Sequence, residues 1–508
     1  MYPEFDLLYK NPSKTESSKQ LEMSMKSLLL DEVVNGVTVD IILQKKVFAL
    51  LSHPEQDVAN LIWRKEILED FRRNGSLLRE FELIEKLNLK LEESLKIVKT
   101  SAASVITTTG GRSTTSDRES SIFTVQTLAD CILKILEIYE QYNKTFAKKD
   151  LRSEFMINMS KFVKEQVENP AFNELKAVAA DLAESLNLNT SFVILTKLYK
   201  YVRMCDCEMF KLSSDPYSYE QQSPPMRDKD KMVISIGFDV ESDQQLQSLA
   251  ERSMIKLVSF MQSITYQLKK PFDKIRDGFY FYDFAAILER TYERLGLPQC
   301  TPEFCTEGNR FECKNIYDLW FSLKQAQKNK NERPGDVLVP NDAIFNKDCA
   351  AYIITGKNNA GKTVFLRAVG IIQLLGQAAL PVPCTEAIIT PVAGVYAYFT
   401  ALDIGQGRFE EEVETVSGFL DTLKPNDMLL FNEVYQSTSF DEAAIALSEF
   451  ISIAALYKAR VISVTHLPDM KKHLGDLQEK LGFEGTVLYA KAEEKDGVST
   501  HRFIPDME

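Results

Sequence analysis

Residues 356–363 read Gly356-Lys357-Asn358-Asn359-Ala360-Gly361-Lys362-Thr363 and satisfy the pattern G-x-x-x-x-G-K-S/T in full. No other feature constrains the C-terminal third so tightly, because such a loop is meaningful only between a strand and a helix. Both flanks comply: Ala350 to Ile354 is a short apolar run suited to a buried strand, and Val364 to Leu375 reads as helix. In that setting the glycines let successive backbone N–H groups turn toward the α- and β-phosphates of a nucleotide at a helix N-terminus. Lys362 then offers a cation to the β- and γ-phosphates, and Thr363 offers its hydroxyl to Mg²⁺, so ATP and Mg²⁺ are the expected cofactors.

A second acidic element is expected at the end of a nearby strand, to organise Mg²⁺ and the attacking water. Met428 to Phe431 predicts that strand, between the turn Pro425-Asn426-Asp427 and the pair Asn432-Glu433. Glu433 reads as the general base or water-positioning group. Asn432 stands where a metal-orienting aspartate is usual; an amide brings no negative charge, so weakened Mg²⁺ binding is expected. A third strand, Arg460 to Val464, ends in Thr465-His466, and the imidazole there can donate a hydrogen bond to a γ-phosphate. Gly485 to Lys491 and Val498 to Phe503, around Asp496-Gly497, predict a closing β-hairpin at the sheet edge.

Upstream the chain changes character. A segment 1–41 precedes residues 42–335, where Glu, Lys and Leu dominate and helix is predicted, and from 336 to 508 apolar strand-like runs alternate with helical ones. Within the helical part, Leu128, Ile132, Ile135, Tyr139, Tyr142 and Phe146 alternate steps of four and three, as do Ala250, Met254, Leu257, Met261, Ile264 and Leu268. Such seams suit long helices packed at shallow angles, as two arms of a lever or as amphipathic helices of a compact bundle. Ser101 to Ser121 is poor in apolar residues and predicts a flexible loop. Ser213 to Lys231 is rich in proline and charge and precedes the alternating run Met232 to Ile236, so a small strand-bearing insertion is expected near 213–240.

With 508 residues the chain is too long for one small domain. Its formal net charge is −13, of which about −10 falls from Asp336 onward, which argues against coating nucleic acid by bulk positive charge. Any DNA contact must be local; Arg72, Arg73, Lys269 and Lys270 are candidates, although each reads more simply as part of a solvated helix face. Cys205-Asp206-Cys207 and the set Cys300, Cys305 and Cys313 lack the paired C-x-x-C spacing of a zinc ribbon, so ordinary thiols are expected. No uncharged apolar run approaches about 18 residues, and the first residues lack a signal-peptide pattern, so no membrane and a soluble, cytoplasmic chain are expected.

The motifs together resemble the ATPase domain of the MutS mismatch-repair family, an ABC-type P-loop domain. The family's loop, near TGPNMGGKST, is similar to Thr355 through Thr363, extended upstream by Val339-Pro340-Asn341-Asp342 and downstream by Arg367, Leu374 and Pro381-Val382-Pro383. Its signature, near STFMVEM, is matched by Phe409 and Glu412 within 407–413, and its DEIGRGTS run resembles Asn432 through Ser439. The family's ATH switch resembles Val464-Thr465-His466. Over roughly the last 170 residues four motifs run in the family's order.

The resemblance implies an α/β ABC-type ATPase domain after a mostly α-helical core and lever domain. It also implies a homodimer in which the signature serine of one subunit meets the γ-phosphate held by the other. Here that position is Gly407, followed by Arg408 and Phe409, so either backbone and guanidinium replace the hydroxyl or activation in trans is weak. No counterpart of the family's mismatch-reading or connector domain is recognised, so a short member is expected, one that reads branched or structured DNA rather than a mismatch. The expected activity is ATP-driven closure of a DNA-binding dimer with slow hydrolysis; the competing expectation is a nucleotide-gated scaffold, nearly silent as an ATPase, that holds a protein partner.

Overall fold

The computed structural model describes residues 3–12, 19–107, 115–185, 192–198, 204–211, 231–236, 244–306, 308–329, 333–346, 348–357, 359–399, 408–435, 438–496 and 498–506. A helical N-terminal region precedes an α/β C-terminal domain. By compactness the chain forms two units, residues 1–5 with 70–276 and residues 6–69 with 277–508. These limits differ from the changes of character at 41 and 335: the stretches 6–69 and 277–335 cluster with the C-terminal residues.

In chain order the elements are α1 (Lys19–Ser27), α2 (Leu30–Val37), α3 (Ile41–Leu51), α4 (Val58–Arg73), α5 (Leu77–Thr107), α6 (Thr115–Phe146), α7 (Glu154–Val167) and α8 (Pro170–Ser185). Strands β1 (Phe192–Leu198), β2 (Met204–Lys211) and β3 (Lys231–Ile236) come next, then α9 (Gln244–Lys269) and α10 (Ile275–Leu295). The remainder is β4 (Glu303–Phe304), β5 (Phe311–Ile316), α11 (Leu319–Lys328), α12 (Pro334–Val337), β6 (Asn341–Phe345), β7 (Cys349–Thr355), α13 (Lys362–Gly376), β8 (Glu386–Ile389) and β9 (Val395–Phe399). It closes with α14 (Arg408–Leu420), β10 (Met428–Asn432), α15 (Phe440–Leu456), β11 (Arg460–Val464), α16 (Met470–Leu481), β12 (Thr486–Lys495) and β13 (Val498–Pro505).

In the first unit α6 is the central helix, packed on α5, α7, α8 and α9. All six residues of its seam are buried, and Val125, Ala129, Cys131, Leu136 and Ile138 are buried as well, because it has neighbours on several sides. Of the α9 seam, the side chains of Ala250 and Met254 lie outside the described residues, Met261 is buried, and Leu257, Ile264 and Leu268 are half-buried, with Val258 and Thr265 buried beside them. The Ser101–Ser121 stretch is not a loop throughout. Residues 101–107 extend α5 and residues 115–121 begin α6, leaving 108–114 outside the described residues. Poor apolar content removed the packing signal there, but Ser, Thr and Ala accept helical backbone once a long packed helix has nucleated it. The expected insertion holds strands earlier than its sequence suggested: β1 pairs antiparallel with both β2 and β3. Of that insertion, residues 212–230 and 237–243 lie outside the described residues.

In the second unit the main sheet has the order β13-β12-β7-β11-β10-β9. Its strands are parallel except β13, which pairs antiparallel with β12 as the expected hairpin. Every residue of β10 and β11 is buried, the mark of a parallel sheet covered on both faces. Alternation then sorts side chains: Leu429 and Phe431 enter a core with Leu447, Phe450 and Ile451 of α15, while Leu430 meets α13 beside Gly370. The β9 edge is covered by α1, where the Ser24 hydroxyl accepts a hydrogen bond from the Ala397 N–H at 2.9 Å. A second, mixed sheet of order β4-β8-β5-β6 has no counterpart in the sequence reading.

Candidate functional site

Parallel strands deliver their following loops to one end of the sheet, and β7, β11 and β10 are consecutive neighbours. The loop after β7 therefore lies beside those after β11 and β10. Backbone bonds fix the three: the Thr465 N–H donates to Ile354 O at 3.0 Å, and the Glu433 N–H to Val464 O at 2.8 Å.

The loop from Gly356 to Thr363 has the backbone its glycines allow. Gly356 has φ +146° and Gly361 φ +87°. A Cβ on Gly356 would lie 2.7 Å from the Cβ of Ala492 on β12, so the position demands glycine for space as well as conformation. Asn359 takes φ +66°, a left-handed value that asparagine tolerates. The Ala360 N–H donates to Lys357 O, and Phe365 N–H to Gly361 O, which starts α13 at the loop's end. Asn358 lies outside the described residues.

Lys362 is 4% exposed, and its ammonium donates to the loop carbonyls of Gly356 and Lys357. Its Nζ also lies 3.6 Å from Oε1 of Glu433, and the same Oε1 is 3.9 Å from His466 Nδ1. Glu433 has φ +53° and Tyr435 φ +64°, so the turn leaving β10 is backbone-strained where the carboxylate is presented. Thr363 Oγ1 donates to Asn432 Oδ1 at 2.9 Å. His466 is partly exposed and meets Phe440 edge-on, with ring centroids 5.6 Å apart. The structure thus assembles Lys362, Thr363, Asn432, Glu433 and His466 from three separate stretches of sequence. Arg408 and Phe409 open α14, but their side chains and Gly407 are outside the described residues.

The C-terminal hairpin forms a wall that sequence reasoning placed only at the sheet edge. Besides Ala492, it brings Glu494, whose Oε2 lies 2.8 Å from Lys357 Nζ, and His501, whose Nδ1 would lie 3.6 Å from a Cβ on Gly361. Asn341 pins the hairpin, donating to His501 O and accepting from the Phe503 N–H, both at 2.9 Å. A register shift in β12 between Ala492 and Glu494 re-aims the strand at this point. No local pattern signals these contacts, because they arise from β12 lying beside β7.

Behind the loop, α13 is anchored by a buried pair: Arg367 Nη1 lies 2.8 Å from Oδ2 of Asp318, the N-cap of α11. The guanidinium also stacks on Trp320, centroid distance 4.6 Å, and Trp320 Nε1 donates to Glu32 of α2 at 2.8 Å. Burial pushes the Asp318 carboxyl up, against the pull of Arg367.

Elsewhere three of the four cationic candidates are held by carboxylates: Arg73 by Asp70 at 2.7 Å, Lys269 by Asp273 at 2.7 Å and Glu92 at 3.3 Å, and Lys270 by Glu4 at 3.6 Å. Cys300 Sγ lies 3.6 Å from Cys384 Sγ, and among the described residues no three His, Cys, Asp or Glu side chains form a metal-holding group. Among the described residues no helix is long and apolar enough to cross a membrane.

Fold and loop together define an α/β domain in which a glycine loop leads from an inner parallel strand into a buried helix. Residues 352–503 match the family model described as MutS domain V. A DNA mismatch repair protein MutS from Clostridium perfringens is 34% identical over 151 residues, 28% of this chain and 17% of the relative. One from Thermosynechococcus vestitus is 32% identical over 143 residues, 27% of this chain and 16% of the relative. An endonuclease MutS2 from Bacillus cytotoxicus is 33% identical over 146 residues, 27% and 18% respectively. Over this C-terminal region the chain is similar to MutS domain V and to MutS and MutS2 proteins, and the match spans less than a fifth of the length of these relatives.

Proposed function

We propose that this chain is a MutS-type, ATP-dependent DNA-binding protein that hydrolyses ATP slowly at the loop Gly356–Thr363 and works as a homodimer. The observation that carries the reading is the convergence of Lys362, Glu433 and His466 at one end of three parallel strands, with Glu433 Oε1 3.6 Å from Lys362 Nζ and 3.9 Å from His466 Nδ1. In this reading the loop N–H groups and Lys362 hold the phosphates, Glu433 orients and deprotonates the attacking water, and His466 donates to the terminal phosphate. Residues 336–508 act as the ATPase domain and 42–335 as the helical core and lever, with Gly407, Arg408 and Phe409 as the signature facing the partner's nucleotide.

The donors suit Mg²⁺ in part. Thr363 supplies a hydroxyl, and Asn432, hydrogen-bonded to it, supplies a neutral oxygen where a carboxylate would bind a hard cation better. Mg²⁺, when present with nucleotide, neutralises phosphate charge. The names of the relatives, mismatch repair protein and endonuclease, support a DNA partner. Asn432 favours one competing reading, a nucleotide-gated scaffold with little turnover that binds a protein.

Equilibrium titration with ATP tests the site: wild-type chain binds and Lys362→Ala binds at least tenfold more weakly, the loss expected for a charge-assisted contact of roughly 1.5–3 kcal/mol. Equal affinity in the two would refute it.

A further inference from the structure

Lys357 occupies the second position of the glycine loop, and neither the fold nor the Lys362–Glu433–His466 cluster needs a cation there. Its side chain is 72% exposed, and its Nζ lies 2.8 Å from Oε2 of Glu494, on the hairpin wall. Its own carbonyl accepts a hydrogen bond from Lys362 Nζ at 3.1 Å, so its backbone borders the ammonium that addresses the phosphates. From that point a flexible four-carbon stem can carry a second ammonium to the same anion. An exposed pair between two long side chains is a weak tie, readily exchanged for a stronger one. A triphosphate offers more negative charge than one glutamate, and Asn432, beside Thr363, brings no charge of its own to compete for the ammonium. We propose that Lys357 is a second phosphate-binding cation of this loop, held by Glu494 until a nucleoside triphosphate draws it to the terminal phosphate. The inference rests on the nucleotide reading above and deepens it by making the site prefer triphosphate over diphosphate.

The test is a titration of the full chain with fluorescent ATP and ADP analogues, using wild type, Lys357→Met, Glu494→Gln and Lys362→Ala. Lys357→Met is expected to weaken triphosphate binding roughly tenfold, as loss of one charge-assisted contact would, and diphosphate binding much less. Glu494→Gln, which removes the competing carboxylate, is expected not to weaken either. Three results overturn the proposal: unchanged triphosphate affinity in Lys357→Met, equal loss for both nucleotides, or the same loss in Glu494→Gln, which would make the pair a structural clasp. Absence of nucleotide binding by the wild type would instead refute the nucleotide reading itself. Wild-type binding that depends on Lys362 but not on Lys357 refutes only this inference.

Discussion

At the residue scale, the groups that depart from expectation are the ones with measurable consequences. Asp427, the turn residue before β10, is fully buried, and its Oδ2 accepts from the Lys424 N–H at 2.6 Å. Burial pushes its carboxyl up to about 7. The folded pKa is therefore above the unfolded one, so the contribution is complete below about pH 4 and is lost as pH rises through 7. Asp427→Asn, which mimics the protonated form, should raise stability at pH 8, by at most ~4 kcal/mol, and leave it nearly unchanged at pH 4. Urea unfolding at the two pH values checks this. At the site, Asn432→Asp places a carboxylate next to the Thr363 hydroxyl and should lower the Mg²⁺ concentration needed for half-maximal ATP turnover severalfold. An unchanged Mg²⁺ dependence would show that Asn432 does not stand at the metal position.

At the scale of elements, α13 is the helix on which the loop depends, and it is buried on nearly every side. Arg367→Ala leaves the Asp318 carboxylate buried without its partner, so a loss of about 3–5 kcal/mol is expected in chemical unfolding. The loss should be larger at pH 8 than at pH 5, because an unpaired buried carboxyl must then ionise; Arg367→Met keeps part of the packing but the same pH trend. The elements that carry the site were legible for a physical reason. Strands β10 and β11 are buried at every residue, β7 carries only buried and half-buried ones, and all three read as mainly apolar runs, while the glycine loop fixed the helix after it. The second sheet was not legible, since Phe311–Ile316 mixes Glu, Lys and Asn into a short strand and Glu303–Phe304 is only two residues. The hairpin was visible, but not Ala492, Glu494 or His501 as neighbours of the loop, because strand order is a long-range property that local pattern does not encode.

For the whole molecule, helical periodicity told where helices run but not which unit claims them. Gly370 of α13 is packed by Leu28, and Gln20 donates to Gly418 O, so residues near the N-terminus belong with the C-terminal fold although their own sequence gives no sign of it. DNA binding, if driven by phosphate contacts, should weaken steeply with salt, and log affinity against log salt concentration measures how many are made. With most candidate cations already paired to carboxylates, a shallow slope is expected. The most direct test of the central claim is steady-state ATP hydrolysis by the purified chain and by Lys362→Ala, alone and with duplex or branched DNA. Slow turnover that disappears in Lys362→Ala and changes with DNA is the expected result. Turnover indifferent to Lys362, or ATP binding with no turnover under any condition, would contradict a DNA-coupled ATPase.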